Sequence, residues 1–351
     1  MKQIVKVGLS AYGMSGKIFH APFIQAIDGF EITHILERSK NQSAEDFPNA
    51  TIVRSFEELI KSSVDLVIVN TPDYLHFPMA KAALEAGKHV VIEKPFTVYS
   101  SEAEELIKLA KEKNKILTVY QNRRLDNGFL TIQKILNKNL LGSIVEYEAR
   151  FDRYKDHIPT ESWKEKSQER NGLLFNLGSH LVDQALVLFG KPEAITAKLS
   201  QIRPGSQTDD YVHIRMDYSN MTVLLRASYL AREAGATYAI HGTQGSYVKY
   251  GIDPQEEQLK MGYKPNKADW GKDTEDNWGI LNTTINGKPF REKIETEAGS
   301  YLAFYENLFN AVTQNEKLMV LPEESLEVIR ILEAAIESNL LKKSILLPIK
   351  E

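Results

Sequence analysis

Val5-Lys6-Val7-Gly8-Leu9-Ser10-Ala11-Tyr12-Gly13-Met14-Ser15-Gly16 is the stretch that decides the fold. Val5, Val7 and Leu9 form an apolar strand that runs into a turn over Ala11–Gly16, an A-x-G-x-x-G variant with its first glycine replaced. In such a turn Gly13 lets the backbone approach a pyrophosphate, and Gly16 lets the following helix pack closely on the strand. The helix N-terminus then offers N–H donors and a partial positive charge to the phosphates. A glycine turn after a first strand is common by itself, and its meaning depends on the elements downstream of it.

Those elements alternate regularly. Strand-like runs at Ile4–Leu9, Glu31–Leu36, Thr51–Val53, Val64–Asn70, His89–Ile92 and Ile116–Tyr120 are mostly apolar throughout, as parallel strands covered on both faces are. Helical signals lie between them. Ser55…Glu58 and Ser101…Glu104 fit capping boxes, and Gly87 ends the helix begun near Asp73. The pattern predicts an α/β fold whose first part is a doubly wound parallel sheet. Past Arg123 it changes. A helix near Asp126–Lys138 precedes strand signals at Ile144–Asp152, Ala194–Gln201, Tyr211–Tyr218, Thr222–Tyr229 and Thr237–His241, with an Asn286-Gly287 hairpin turn later. Strands in succession predict an antiparallel sheet. The stripes Tyr301, Tyr305, Leu308, Phe309, Val312 and Leu326, Ile329, Leu332, Ile336 predict helices packed on that sheet or back on the first domain. The expected domains are 1–122, binding a dinucleotide, and 123–351, binding substrate.

Composition narrows the function. The 351 residues suit two domains, and 42% apolar content is enough to build their cores. A formal net charge of −4 with no basic block argues against nucleic acid as the main partner. No apolar run reaches the roughly 18–20 residues of a membrane helix, and no secretory leader is evident, so the cytoplasm is the expected compartment. Zero cysteines excludes thiol catalysis and thiolate metal sites, and the eight histidines form no ligand pattern, so no metal is expected.

The candidate site gathers at the carboxyl ends of the parallel strands, where such sheets bind ligands. Glu37 stands about twenty residues past the loop, where a carboxylate accepts from ribose hydroxyls. Arg38-Ser39-Lys40 comes directly after it and suits a 2′-phosphate, so both NAD and NADP remain open. Thr71-Pro72 closes the fourth strand, as a cofactor contact or as a helix cap. Glu93-Lys94-Pro95 closes the fifth and puts an ammonium group on the same edge. Farther on, Asn176, His180, Asp183 and Gln184 share one face if helical, a polar stripe suited to a cleft.

Gly8–Gly16 with Lys17-Ile18-Phe19-His20-Ala21-Pro22, Asn70–His76, Glu93-Lys94-Pro95 and Gly178-Ser179-His180-Leu181-Val182-Asp183 together resemble one family. That family is the Gfo/Idh/MocA oxidoreductases (glucose–fructose oxidoreductase and inositol dehydrogenase). Within it the likeness is greatest to the branch that includes NADP-linked scyllo-inositol dehydrogenases, and it runs nearly end to end. The resemblance implies an N-terminal Rossmann domain and a C-terminal α/β domain with a large, open, mostly antiparallel sheet used in homodimer or homotetramer contacts. It implies that Lys94 holds the reacting oxygen and His180 relays the proton. Family cofactor contacts fall on Tyr12, Gly13, Met14, Arg38, Thr71, Leu75, His76, Glu93, Asn122 and Trp163. Arg153, Trp163 and Gln184 fall near the substrate or nicotinamide. One departure stands out: the family commonly has aspartate four residues before the histidine, where this chain has Asn176. Asparagine orients a hydroxyl but carries no charge. The expected activity is reversible, nicotinamide-dependent oxidation of a secondary alcohol on an inositol, sugar or polyol. The alternative is a cofactor-binding sensor without turnover.

Overall fold

Six parallel strands form the first sheet in the order β3-β2-β1-β4-β5-β6, with β1 Val5–Leu9, β2 Phe30–Leu36, β3 Thr51–Val53, β4 Leu66–Val69, β5 His89–Ile92 and β6 Leu117–Val119. The structure is a computed structural model, and it describes residues 3–158 and 170–348; Trp163 lies outside the described residues. Strand order reverses between β2 and β4 on either side of β1, which creates the crevice for a dinucleotide at the carboxyl edge. Leu66, Val67, Ile68 and Val69 are all fully buried, as are Val90, Val91 and Ile92, because helices cover both faces.

Local chemistry sets the helices between these strands. Ser15–His20 is a wide, π-type turn continuing into α1, Ala21–Ala26. Pro22 in the first turn of α1 has no N–H to give the preceding turn, and the widened ladder accommodates it. The short α2 spans Ser43–Asp46, and α3, Phe56–Lys61, starts at the expected cap, where Ser55 Oγ accepts the Glu58 N–H at 3.2 Å. After α4, His76–Glu85, comes α5, Ser100–Glu112, whose start departs from expectation. Ser101 lies inside the first turn, and it is Glu102 that reaches back to the Tyr99 N–H, at 3.1 Å.

The second sheet has nine strands in the order β14-β13-β12-β11-β7-β10-β9-β8-β15. They are β7 Ile144–Arg150, β8 Ala194–Ser200, β9 Tyr211–Asp217, β10 Thr222–Ser228, β11 Tyr238–Gly242, β12 Gly245–Lys249, β13 Gly279–Ile285, β14 Lys288–Ile294 and β15 Ile345–Leu346. All pairs are antiparallel except β7 with β10, at the centre. One face is core: Tyr147, Ala149, Val212, Ile214, Met216, Val223 and Leu225 are buried, and the residues between them are half-exposed or, at Arg215, exposed. The hairpin of β13 and β14 turns on Asn286 at φ 51° and Gly287 at φ 74°, the left-handed pair that tight hairpins require. Among the described residues, five further helices follow β6: α6 Asn127–Asn137, α7 Ser179–Phe189, α8 Gln255–Lys260, α9 Leu302–Gln314 and α10 Pro322–Leu341.

The chain divides into two compact units, and the division is not linear. The first joins Gln255–Trp270 and Ser300–Ile329 to Met1–Leu125, and the second holds Asp126–Pro254, Gly271–Gly299 and Arg330–Glu351. Where one boundary was expected at 122/123, the chain passes between the units five times, the first after Leu125 and the fifth inside α10. Aromatic packing is the reason α9 returns to the first unit. Tyr305 stacks on Phe23 at 5.8 Å with the rings 3° apart, and Phe304 meets Tyr120 edge-on at 5.0 Å. Each such pair stabilises by roughly 0.5–1.5 kcal/mol beyond its burial.

Candidate active site

A reciprocal amide clamp holds the glycine loop in place. The Ala11 N–H donates to Asn70 Oδ1 at 3.0 Å, and Asn70 Nδ2 donates to Ala11 O at 2.9 Å. Ser10 N–H donates to Ile68 O, so the loop is anchored to the end of β4. A Cβ at Gly16 would lie 2.3 Å from Ala11 O, so only glycine fits there. A Cβ at Gly13 would meet nothing within 4 Å, leaving an open approach to the loop backbone. With the N–H groups of the first helical turn behind it, this cradle fits a pyrophosphate. Met14 is exposed, while Tyr12 is buried and its hydroxyl donates to Asp46 Oδ2 at 2.7 Å. Burial, then the Asp46 bond, keeps the Tyr12 phenol protonated far above its ordinary range.

Glu37, expected at the ribose, has its carboxylate engaged by its own loop. Oε1 accepts the Ser43 N–H at 2.8 Å and the Ser43 hydroxyl at 2.5 Å, and Oε2 accepts the Gln42 N–H at 2.9 Å. Burial works to raise its pKa, but the Ser43 and Gln42 bonds and the Arg54 charge outweigh it and hold the group below its ordinary value. Arg54 braces the same loop by donating to Glu37 O and Lys40 O, each at 2.7 Å. Arg38, Ser39 and Lys40 remain exposed at its tip.

At the end of β5, Glu93 Oε1 accepts from Ser15 Oγ at 2.7 Å and from His20 Nε2 at 3.0 Å. Its Oε2 accepts the Lys94 N–H at 3.1 Å. Burial opposes the charge, yet the His20 bond and charge, the Ser15 bond and Lys94 bring its pKa down to about 2. The Lys94-Pro95 peptide is cis, and Lys94 is half-buried. Both ring nitrogens of buried His76 face carbonyl oxygens, Nδ1 that of Pro95 at 2.8 Å and Nε2 that of Thr71 at 2.9 Å. His76 therefore ties together the chain segments leaving β4 and β5. Thr71 caps no helix: its hydroxyl points to Met79 Sδ, and Pro72 leads into a single 3₁₀ turn, Asp73–Leu75. Asn122 is buried in another, Asn122–Leu125.

Sequence reasoning missed one member of this cluster. His20 stands in the motif that follows the glycine loop, whereas Tyr305 reads only as part of a helical stripe, yet the His20 Nδ1 contacts the Tyr305 hydroxyl. They lie 285 residues apart, so no local signal links them.

In the second unit, the predicted polar stripe is helical but not uniformly α. Leu174–Gly178 is a second π-type turn, which rotates Asn176 relative to the face of α7. Asn176 Nδ2 donates to the Tyr229 hydroxyl at 3.3 Å. His180, Asp183 and Gln184 are buried in α7, and the Tyr238 hydroxyl donates to Gln184 Oε1 at 3.1 Å. Arg153 is half-buried just after β7, its N–H donating to Ser228 O at 2.8 Å.

Asp209 holds the start of this helix, its Oδ2 accepting the Leu174 N–H at 2.7 Å. Burial pushes the Asp209 pKa up to about 7 against that bond. A pKa raised on folding means the native state binds the extra proton. Its stabilising contribution is then complete below about pH 4 and is lost as pH rises through about 7. Denaturant midpoints should fall over that interval in the native chain and flatten in Asp209→Asn. An unchanged slope in the variant would reject the assignment.

Among the described residues, no group of three or more His, Asp or Glu is placed to hold a metal. None of their helices is long and apolar enough to cross a membrane. The fold and the phosphate cradle define a dinucleotide-binding protein of two compact units. Comparison with known proteins gives the family. Residues 3–121 match its NAD-binding Rossmann domain and residues 133–345 its C-terminal alpha/beta domain, and the chain belongs to the Gfo/Idh/MocA oxidoreductase family. It is 40% identical to the Bacillus subtilis scyllo-inositol 2-dehydrogenase (NADP(+)) IolW, over 98% of this chain and 96% of that one. The solved structure of Bacillus subtilis YvaA superposes with a TM-score of 0.96 at 39% identity, covering 99% of each chain. That of a Bacteroides fragilis protein gives 0.91 at 48% identity, covering 98% of this chain and 100% of that one. The protein is thus an NAD(P)-dependent oxidoreductase.

Proposed function

We propose that this oxidoreductase interconverts a secondary alcohol and a ketone on an inositol, sugar or related polyol, using NADP. The observation that carries the chemistry is Lys94 on the same sheet edge as the open glycine loop, its peptide fastened to Glu93. When bound, the nicotinamide supplies the hydride acceptor or donor. Lys94 hydrogen-bonds the alcohol oxygen and stabilises the alkoxide as it develops. His180 accepts the hydroxyl proton, imidazole being the side chain best suited to exchange a proton near neutral pH. Arg153, Asn176 and Gln184 orient neighbouring hydroxyls, Asn176 by hydrogen bonding alone. Tyr12, Gly13, Met14, Thr71, Pro72, Leu75, His76 and Asn122 border the cofactor. The name of the Bacillus subtilis relative supports the substrate class. The nine-stranded sheet, buried on one face and half-exposed on the other, supports a homodimer or homotetramer built on that sheet.

The phosphate preference rests on Glu37. With three donors already on its two oxygens, this carboxylate serves its own loop and leaves the exposed Arg38-Ser39-Lys40 to meet the adenosine ribose. Two exposed cations and a hydroxyl suit a 2′-phosphate. The test is absorbance at the reduced-nicotinamide band with NAD and NADP against inositols, aldoses and keto-sugars. Turnover with a polyol and NADP is expected. In Arg38→Ala the NADP affinity falls by about 10- to 100-fold, while NAD binding is unchanged. Silence across the panel with cofactor still bound would replace this reading with the sensor. Equal losses for NAD and NADP would remove Arg38 from the phosphate.

A further inference from the structure

We propose that Tyr305, His20 and Glu93 form a positioning chain that holds Lys94 in register with the glycine loop; this rests on the reading that Lys94 handles the reacting oxygen. One carboxylate joins three parts of the site. Glu93 Oε1 takes Ser15, the first residue of the helix after the loop, and His20, the last residue of its wide turn. Glu93 Oε2 takes the peptide N–H of Lys94. The aim of that carboxylate depends on His20, whose side chain is wholly shielded from water, so its ring nitrogens must be satisfied within the protein. Nε2 donates to the ionised Glu93, and Nδ1 faces the Tyr305 hydroxyl. That hydroxyl donates to a neutral ring or accepts from a charged one, so the chain survives either protonation state. Tyr305 is fully buried and cannot swing away. Phe23 stacks on it at 5.8 Å, Phe304 meets it at 5.3 Å and Tyr120 at 5.5 Å.

The consequence is a lever from α9 to the sheet edge. Removing the Tyr305 oxygen strips the buried Nδ1 of this partner, frees the ring of His20 to turn, and releases Glu93 from one of its anchors. The Lys94 peptide then loses its fixed relation to the phosphate cradle, while the cradle itself, clamped by Asn70, stays as it is. Misplacement of a reacting group by about 1 Å costs up to about 10²-fold in rate. The Asn70 clamp does not run through this chain, so cofactor affinity should change far less than turnover.

The experiment uses Tyr305→Phe, which keeps the aromatic packing, and His20→Gln. Both are measured for kcat, for NADP affinity by fluorescence titration, and for the acylation rate of Lys94 read by mass spectrometry. Lys17, exposed on the same unit, is the internal control. We expect kcat to fall about 10- to 100-fold with NADP affinity within about twofold. Lys94 acylation should change by at least about threefold while that of Lys17 does not. The double variant should be no worse than His20→Gln alone, since both act through one chain. Unchanged Lys94 acylation in both variants overturns the proposal, as does a loss of cofactor affinity in step with kcat. If the native protein turns over no substrate, the dehydrogenase reading fails but the acylation rates still decide the positioning chain.

Discussion

Lys94→Ala should lower turnover by about 10³-fold while NADP binding stays within a fewfold of the native value. The ammonium group is the one positive charge that the Glu93-Lys94-Pro95 segment brings to the carboxyl edge of the first sheet. An alkoxide developing there without it has lost its electrostatic partner. The phosphates have not lost theirs, because the loop is held by Asn70 and the end of β4. Initial rates at the reduced-nicotinamide band, beside a fluorescence titration of NADP, separate the two. A variant that turns over within tenfold of the native rate would leave Lys94 without its assigned role.

A second lysine should fail differently. Lys249 is 1% exposed and donates to Asp273 Oδ2 at 2.6 Å, to Asn277 O at 2.7 Å and to Tyr250 O at 3.2 Å. Asp273 is equally buried, so Lys249→Met strands a carboxylate away from water. Breaking a buried pair from one side costs about 3–5 kcal/mol. Urea unfolding should show that loss for Lys249→Met, and most of it should return when Asp273→Asn is added. A double variant as unstable as the single would mean that lost packing, and not the orphaned charge, set the cost. NADP binding, which uses the other unit, is the internal check that the first unit remains folded.

The parallel sheet was legible because its information is local. Continuous apolar runs such as Leu66–Val69 and Val90–Ile92 need only cover on both faces, and Gly16 needs only close contact with Ala11. The Asn286-Gly287 hairpin was legible for the same reason, since two residues with positive φ suffice. The linear domain boundary was less so. Tyr301, Tyr305 and Leu308 repeat at helical spacing whichever surface they cover, and only ring packing on Phe23, His20 and Tyr120 assigns α9 to the first unit. The parallel pairing of β7 with β10 carries no mark in either strand, because apolar alternation is the same for both directions.

The site divides the same way. Residue types and order alone determined that a phosphate cradle, a lysine and a histidine-bearing helix belong to this chain, since each is written within a dozen residues. Glu37-Arg38-Ser39-Lys40 held two opposite readings, and the fold-back of Ser43 onto Glu37 favours one of them. Tyr305 entered the site only through a ring nitrogen 285 residues away. Apolar periodicity and glycine geometry act between neighbours in sequence and can be read there. Which donor satisfies a buried carboxylate is settled by proximity in space, and only the tertiary structure decided it.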